Sequence, residues 1–118
     1  MTLNQTWKNC LRMWKWISNA IDKRSLDHPE EYIRDSVNIL KEKWCKKNGF
    51  GNDSRCFFCE YGAIANTEDT CLSCPGRLVD RNFYCVNSAY AFDIKPKKFY
   101  QKLLKLNAKR IAKRKAKK

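Results

Sequence analysis

The chain is short of several things at once. Its 118 residues include one histidine, His28, four glycines and three prolines. A hydrolytic zinc site keeps a coordination position open for water, usually among histidine or carboxylate ligands, and a lone histidine beside Pro29 does not supply one. A cysteine nucleophile needs a histidine base, and His28 has no evident route to one. Four glycines form neither a phosphate-cradling loop nor a dinucleotide fingerprint. The expectation is a protein that is not an enzyme. No stretch approaches the roughly 20 apolar residues of a membrane span. Residues 1–21 are interrupted by Lys8, Arg12 and Lys15, so they lack the apolar middle of a secretory signal. These absences predict a cytoplasmic location, with thiols kept reduced and no membrane partner.

Acid is missing from one region altogether. Residues 1–94 hold 13 of the 25 Lys and Arg residues and all 12 Asp and Glu residues, whereas residues 95–118 hold the other 12 basic residues and no acid. A near-neutral body therefore carries a tail responsible for almost all of the +13 net charge. A block of like charge repels itself and gains most by meeting an anion, and nucleic acid also releases counterions when it is bound. The residues expected to contact it are Lys97, Lys98, Lys102, Lys105, Lys109, Arg110, Lys113, Arg114 and Lys115. The competing reading is a solvated, solubilising tail.

What is present in abundance is apolar periodicity and sulfur. At 43% hydrophobic residues the chain is foldable, and its length suits one compact domain over 1–94 followed by the basic segment 95–118. Trp7, Cys10, Leu11, Trp14, Ile17 and Ile21 recur at helical steps, with Met13 and Trp16 widening the stripe and Thr2 or Thr6 available as a cap. Asp27, His28, Pro29 and Glu30 form a helix-start signal, after which Tyr32, Ile33, Val37, Leu40 and Trp44 keep helical spacing up to a stop at Asn48-Gly49. The expected fold class is thus mainly α: an N-terminal αα-hairpin over 1–49, an irregular cysteine module over 50–94 and a basic C-terminal helix. In that last helix Pro96 opens the first turn and Phe99, Tyr100, Leu103, Leu106 (or Leu104) and Ile111 line one face, with the tip beyond Ile111 frayed until bound. The tryptophans read mainly as core packing between helices, with an aromatic platform for bases or for a partner as the alternative.

Five of the seven cysteines, Cys56, Cys59, Cys71, Cys74 and Cys85, fall between residues 56 and 85. Cys56-Phe57-Phe58-Cys59 and Cys71-Leu72-Ser73-Cys74 are paired CxxC turns. Each can present two thiolates to one tetrahedral ion, and a stretch with few core residues of its own needs such a staple. The expectation is one structural Zn2+ held by Cys56, Cys59, Cys71 and Cys74, with Cys85 the substitute ligand. A thioredoxin-like pair would want a strand-to-helix setting, which neither turn offers, and an iron–sulfur cluster would also accept four thiolates. Phe57, Phe58, Tyr61, Phe83 and Tyr84 are placed to pack around the ion, Arg55, Arg77 and Arg81 to offer phosphate contacts, and Cys10 and Cys45 to serve as small buried apolar groups.

Trp14-Lys15-Trp16, then Cys56-Phe57-Phe58-Cys59-Glu60-Tyr61-Gly62-Ala63, Cys71-Leu72-Ser73-Cys74-Pro75 and Cys85, followed by a closing helix, give the chain a further likeness. It resembles small cysteine-rich proteins encoded by tailed bacteriophages, which carry a CxxCEYA-like turn, a CxxCP turn and a further cysteine. The resemblance implies a bacterial host cytoplasm and a zinc site and implies little about activity; the basic tail, residues 95–118, departs from it. Two functions follow from the sequence. One is a non-catalytic zinc module that contacts nucleic acid through its tail. The other is a protein-binding phage factor that inhibits or redirects a host enzyme or defence complex, motivated by 13% aromatic residues, with a structural part of a larger nucleoprotein assembly as a further option.

Overall fold

In the computed structural model, which describes residues 2–21, 29–50, 56–65 and 73–116, the chain is mainly helical. Five helices follow in order, α1 (Leu3–Ala20), α2 (Glu30–Lys47), α3 (Phe57–Ala65), α4 (Pro75–Val79) and α5 (Pro96–Ala116), with no strand among the described residues. Packing centres on α1, which touches α2, α3 and α5, while α4 lies against α3 and α5.

Of the two threonines offered as a cap for α1, Thr2 takes the role. Its hydroxyl accepts from the Gln5 N–H at 3.1 Å, and the Gln5 side-chain oxygen accepts from the Thr2 N–H at 2.8 Å. That reciprocal pair satisfies two of the donors a helix start leaves open. Thr6 is buried, and its hydroxyl donates to Thr2 O at 2.9 Å. The stripe of Trp7, Cys10, Met13, Trp14 and Ile17 is buried, whereas Leu11 and Trp16 stay half-exposed.

The start signal expected for α2 falls partly on Asp27 and His28, which lie outside the described residues, as does the connection of the expected hairpin. Glu30 and Glu31 occupy the first turn and Lys46 and Lys47 the last, each complementing the helix dipole. The stop is at Gly49, whose φ of 83° needs a residue without a Cβ. There the Phe50 N–H reaches back to Cys45 O at 2.8 Å and the Gly49 N–H to Lys46 O at 3.4 Å, while the Phe50 ring stacks on Trp44 with centroids 5.8 Å apart. These are the two bonds and the apolar contact of a Schellman cap. Of the face its spacing predicts for α2, Ile33, Val37 and Trp44 are buried, whereas Tyr32 is exposed and Leu40 only half-buried, and Lys41 and Cys45 point inward in their place.

The irregular module expected over 50–94 contains two helices, α3 and α4. A helix of two turns or one shows no repeated stripe, so periodicity could not reveal either. Phe57 and Phe58 drop into the core at the start of α3, and Ile64 at its far end is exposed. Gly76 lets α4 lie flat on Phe83, since a Cβ there would sit 2.5 Å from the ring. In α5 the inward row is Phe99, Leu103, Leu106 and then Arg110, with Leu104 and Ile111 exposed; the helix continues to Ala116 rather than fading beyond Ile111.

Aromatic rings join these elements. Trp44 meets Phe57, Trp7 meets Phe58, Phe58 meets Phe83, Phe83 meets Phe99, and Phe99 meets Trp14 and Phe92, with centroids 4.8–6.1 Å apart. Trp7, Trp14 and Trp44 are therefore core residues, not an exposed platform. Truncating any of these rings costs about 3–5 kcal/mol in a packed interior.

Candidate functional site

The aromatic frame surrounds a cavity of about 50 Å³, and five cysteines line it: Cys10, Cys56, Cys59, Cys74 and Cys85. Local structure explains how each arrives. Cys56 immediately precedes α3, where its carbonyl accepts from the Glu60 N–H at 2.9 Å and its Sγ from the Cys59 N–H at 3.4 Å. Cys59 follows one turn into the helix. Cys74 is the N-cap of α4, its carbonyl accepting from the Leu78 N–H at 3.0 Å. Cys85 sits on a loop closed by the Phe92 N–H on Cys85 O at 3.1 Å, and that loop is tied to α2 by the Arg34–Asp93 ion pair at 3.0 Å. Arg77 donates to Phe83 O at 3.0 Å and fixes the wall between them.

Cys71, one of the four expected ligands, lies outside the described residues. Among the described residues, no three His, Cys, Asp or Glu side chains stand in a group that could hold a metal ion. What the structure brings to one cavity is Cys56, Cys59, Cys74 and the substitute Cys85, with Cys10 of α1 on the same wall. Cys45 is fully buried and does not line the cavity.

The thiols differ in acidity. A hydrogen bond from the Cys59 thiol, aided by the Cys59 N–H and by Lys41, lowers Cys56 to about 6 against the opposing effect of burial. Cys59 is raised, first by making that bond and then by burial and the neighbouring sulfurs. Burial, followed by the charges of Cys56 and Cys74, raises Cys10 well above its ordinary value. A thiolate at the start of a helix faces the positive end of the helix dipole, so Cys56 is the natural first anion of the group.

Lys41 is the feature that periodicity hides. It is 7% exposed, its ammonium lies 5.1 Å from the Phe92 ring centroid and 5.9 Å from that of Trp14, and it lines the cysteine cavity. Burying an ammonium costs several kcal/mol unless an anion compensates it. Ring faces compensate it in part; thiolates across the cavity would complete the task. Thiolates around a divalent cation would carry net negative charge, which such an ammonium would offset.

The second candidate surface is α5. Lys97, Lys98, Lys105 and Lys109 are exposed along it. At about 1.5 Å per residue this face spans roughly 18 Å, enough for several phosphates. The other expected contact residues are engaged with the protein. Lys102 donates to Asp80 at 3.4 Å and lies over Tyr90, and Lys113 donates to Val79 O at 3.2 Å. Arg110 donates to Asn107 and to Asn4, and Arg114 to Asn4. The Lys115 side chain, like Arg55, lies outside the described residues, and Arg81 is exposed near Asp80 in sequence. Asp80 is held below its ordinary value by the Asn82 N–H and then by Lys102.

No helix is long and apolar enough to cross a membrane among the described residues. The site and the fold together define a mainly helical chain with a sulfur-lined cavity and an acid-free basic helix. No family model matches this chain, and neither a curated protein nor a solved structure is similar to it. Cys10 is buried as its place in the α1 stripe implied, although its share in the cavity was not foreseen, and Lys41 escaped sequence reasoning. Cys10 has no ligand spacing, and Lys41 showed itself only as a charge one turn from Val37 and Trp44 in an otherwise apolar row.

Proposed function

We propose that this chain is a small non-catalytic zinc module that contacts nucleic acid through the outward face of α5. The observation that carries the reading is the exposure of Lys97, Lys98, Lys105 and Lys109 on a helix in a segment that holds no acid. The zinc would be held by Cys56, Cys59 and Cys74 with Cys71 or Cys85 as fourth ligand, and the shared cavity supports Cys85. On this reading α1 and α2 are the arms of an αα-hairpin and the segment from Cys56 to Cys85 is a metal-held module that fixes α5 on the hairpin. The ion would supply structure and no chemistry. The bacteriophage-like cysteine pattern points to a bacterial cytoplasm as the setting.

Fluorescence anisotropy with labelled DNA and RNA, single- and double-stranded, over a range of salt concentrations tests the nucleic-acid reading. Affinity should fall linearly on a double-logarithmic plot, with a slope near −0.9 per phosphate contacted on duplex DNA. The combined variant Lys97→Gln, Lys98→Gln, Lys105→Gln and Lys109→Gln should flatten that slope. Salt-insensitive binding, or none, overturns the reading. Metal analysis of protein washed with nuclease and high salt should return one zinc per chain, and its absence overturns the metal half.

A further inference from the structure

A second cavity, about 150 Å³, opens between the start of α1, α4 and the end of α5. Its floor is apolar, from Leu3, Trp7 and Val79, and its rim is cationic, from Arg110, Lys113 and Arg114. The two guanidinium groups share one acceptor: Arg110 Nη1 lies 2.7 Å and Arg114 Nη1 3.1 Å from Asn4 Oδ1. They are thus no further apart than those two bonds allow, and among the described residues neither has a carboxylate partner. Arg110 is held in place from two further sides, by Asn107 Oδ1 at 2.9 and 3.2 Å and by the Trp7 ring, 5.2 Å beneath it. Burial and the nearby Arg114 charge lower the Arg110 guanidinium from its ordinary value, which reports the same crowding of positive charge.

A neutral amide oxygen is a weak partner for two guanidinium ions, since hydrogen bonds between oppositely charged groups are roughly twice as strong. Trp7 adds an independent sign. It is 1% exposed and lines this cavity, and its indole N–H is the buried side-chain polar atom left without a partner among the described residues. Buried donors in native proteins are almost always satisfied, so an unmade bond here points to a missing acceptor. The cavity is also smaller than the roughly 300 Å³ at which sites for whole small molecules begin. A single anionic group fits; a nucleotide does not.

We propose that this cavity is a phosphate-binding site, in which Arg110 and Arg114 clamp one phosphate of a nucleic-acid strand, with Lys113 at the rim. The proposal deepens the nucleic-acid reading and rests on it. The outward lysines then supply register-free attraction, whereas the clamp fixes where the strand sits. The phosphate is either a backbone diester or a terminal monoester.

The test uses the full chain, isotope-labelled, with inorganic phosphate as the first probe at constant ionic strength. The Trp7 indole N–H and Arg110 Nε–H resonances should shift saturably, and Arg114→Gln, at an exposed position, should weaken the effect roughly tenfold. Arg110→Lys should weaken it too, whereas Lys105→Gln should not. Shifts no larger than those caused by chloride, or shifts unchanged in Arg114→Gln, overturn the site. The second probe is a short DNA strand carrying either a terminal phosphate or a terminal hydroxyl. A preference for the phosphorylated end that disappears in Arg114→Gln supports the site and assigns a monoester. Equal affinity for both, weakened by Arg114→Gln, supports it and assigns the backbone. Strand binding untouched by Arg114→Gln overturns the clamp and leaves the outward-face reading standing. Failure of every strand to bind the wild-type chain overturns both.

Discussion

The cysteine cavity and the basic helix pose opposite electrostatic problems. At the cavity, cysteines of unequal acidity, Cys56 lowered and Cys59 and Cys10 raised, line a space beside one buried ammonium, Lys41, and their thiolates would be neutralised by a cation. On α5, ammonium and guanidinium groups are spread along a surface, and their charge would be neutralised by an anion. The interior group is held by packing: Phe57, Phe58, Phe83 and Trp14 cannot move without losing contacts worth several kcal/mol. The exterior lysines Lys97, Lys98, Lys105 and Lys109 stand exposed on the helix that carries them. One consequence is that substitutions in the first region act on the fold and those in the second on binding.

The largest effect should come from the metal. On the zinc reading, a strong chelator or Cys56→Ser removes the ion, and the thermal midpoint falls by more than about 10 °C in calorimetry, because a structural zinc contributes folding energy outright. An unchanged midpoint would separate the cavity from stability and break the contrast. Gly76→Ala follows. Its Cβ would meet the Phe83 ring at 2.5 and 2.6 Å, and Phe83 is 1% exposed, so the cost is about 1–3 kcal/mol in denaturant unfolding with nucleic-acid affinity preserved in the folded fraction. Lys41→Met sharpens the comparison from inside. It should weaken zinc binding about tenfold or more in competition with a chelator, while the metal-free protein keeps or gains stability.

Acidity gives a smaller effect with a defined sign. In metal-free protein Cys56 lies at about 6 against an ordinary value of 9.0, so the thiolate is favoured by the fold. Its contribution to stability is full above pH 9, declines as pH falls toward 6 and is absent below that, because there both states hold the proton. Ultraviolet thiolate absorbance should therefore show a first step near pH 6 that Cys56→Ser abolishes. Smallest of all is the stability change in the combined Lys97, Lys98, Lys105 and Lys109 variant, within about 0.5 kcal/mol by denaturant unfolding.

Long helices were legible from the sequence because their stripes repeat over several turns. The first and second helices and the closing one all follow from Trp7 to Ile21, Ile33 to Trp44 and Phe99 to Leu106. Short ones were not: α3 and α4 consist of nine and five residues, too few to establish a period. The CxxC spacing identified Cys56 and Cys59 as neighbours, since two intervening residues force proximity, whereas Cys74 meets them through the packing of α4 on α3. Cys85 required the loop that folds back through Phe92, and Lys41 required knowing which way α2 turns, a property of tertiary packing. Arg110 illustrates the same limit: the charge run counted it with the outward lysines, yet the helix turns it inward onto Trp7.

The contact between Asn4 and Arg110 joins residues 106 positions apart, and α1 packs on both its neighbour α2 and the distant α5. A polypeptide emerging from a ribosome therefore makes this central helix well before the α5 that completes its surroundings. Until α5 has been synthesised, Trp7 and Trp14 lack the partners that cover them, and the nascent chain displays the kind of greasy surface that chaperones recognise and that aggregates at high concentration. Non-local closure of this type slows folding relative to a bundle whose helices meet only their sequence neighbours.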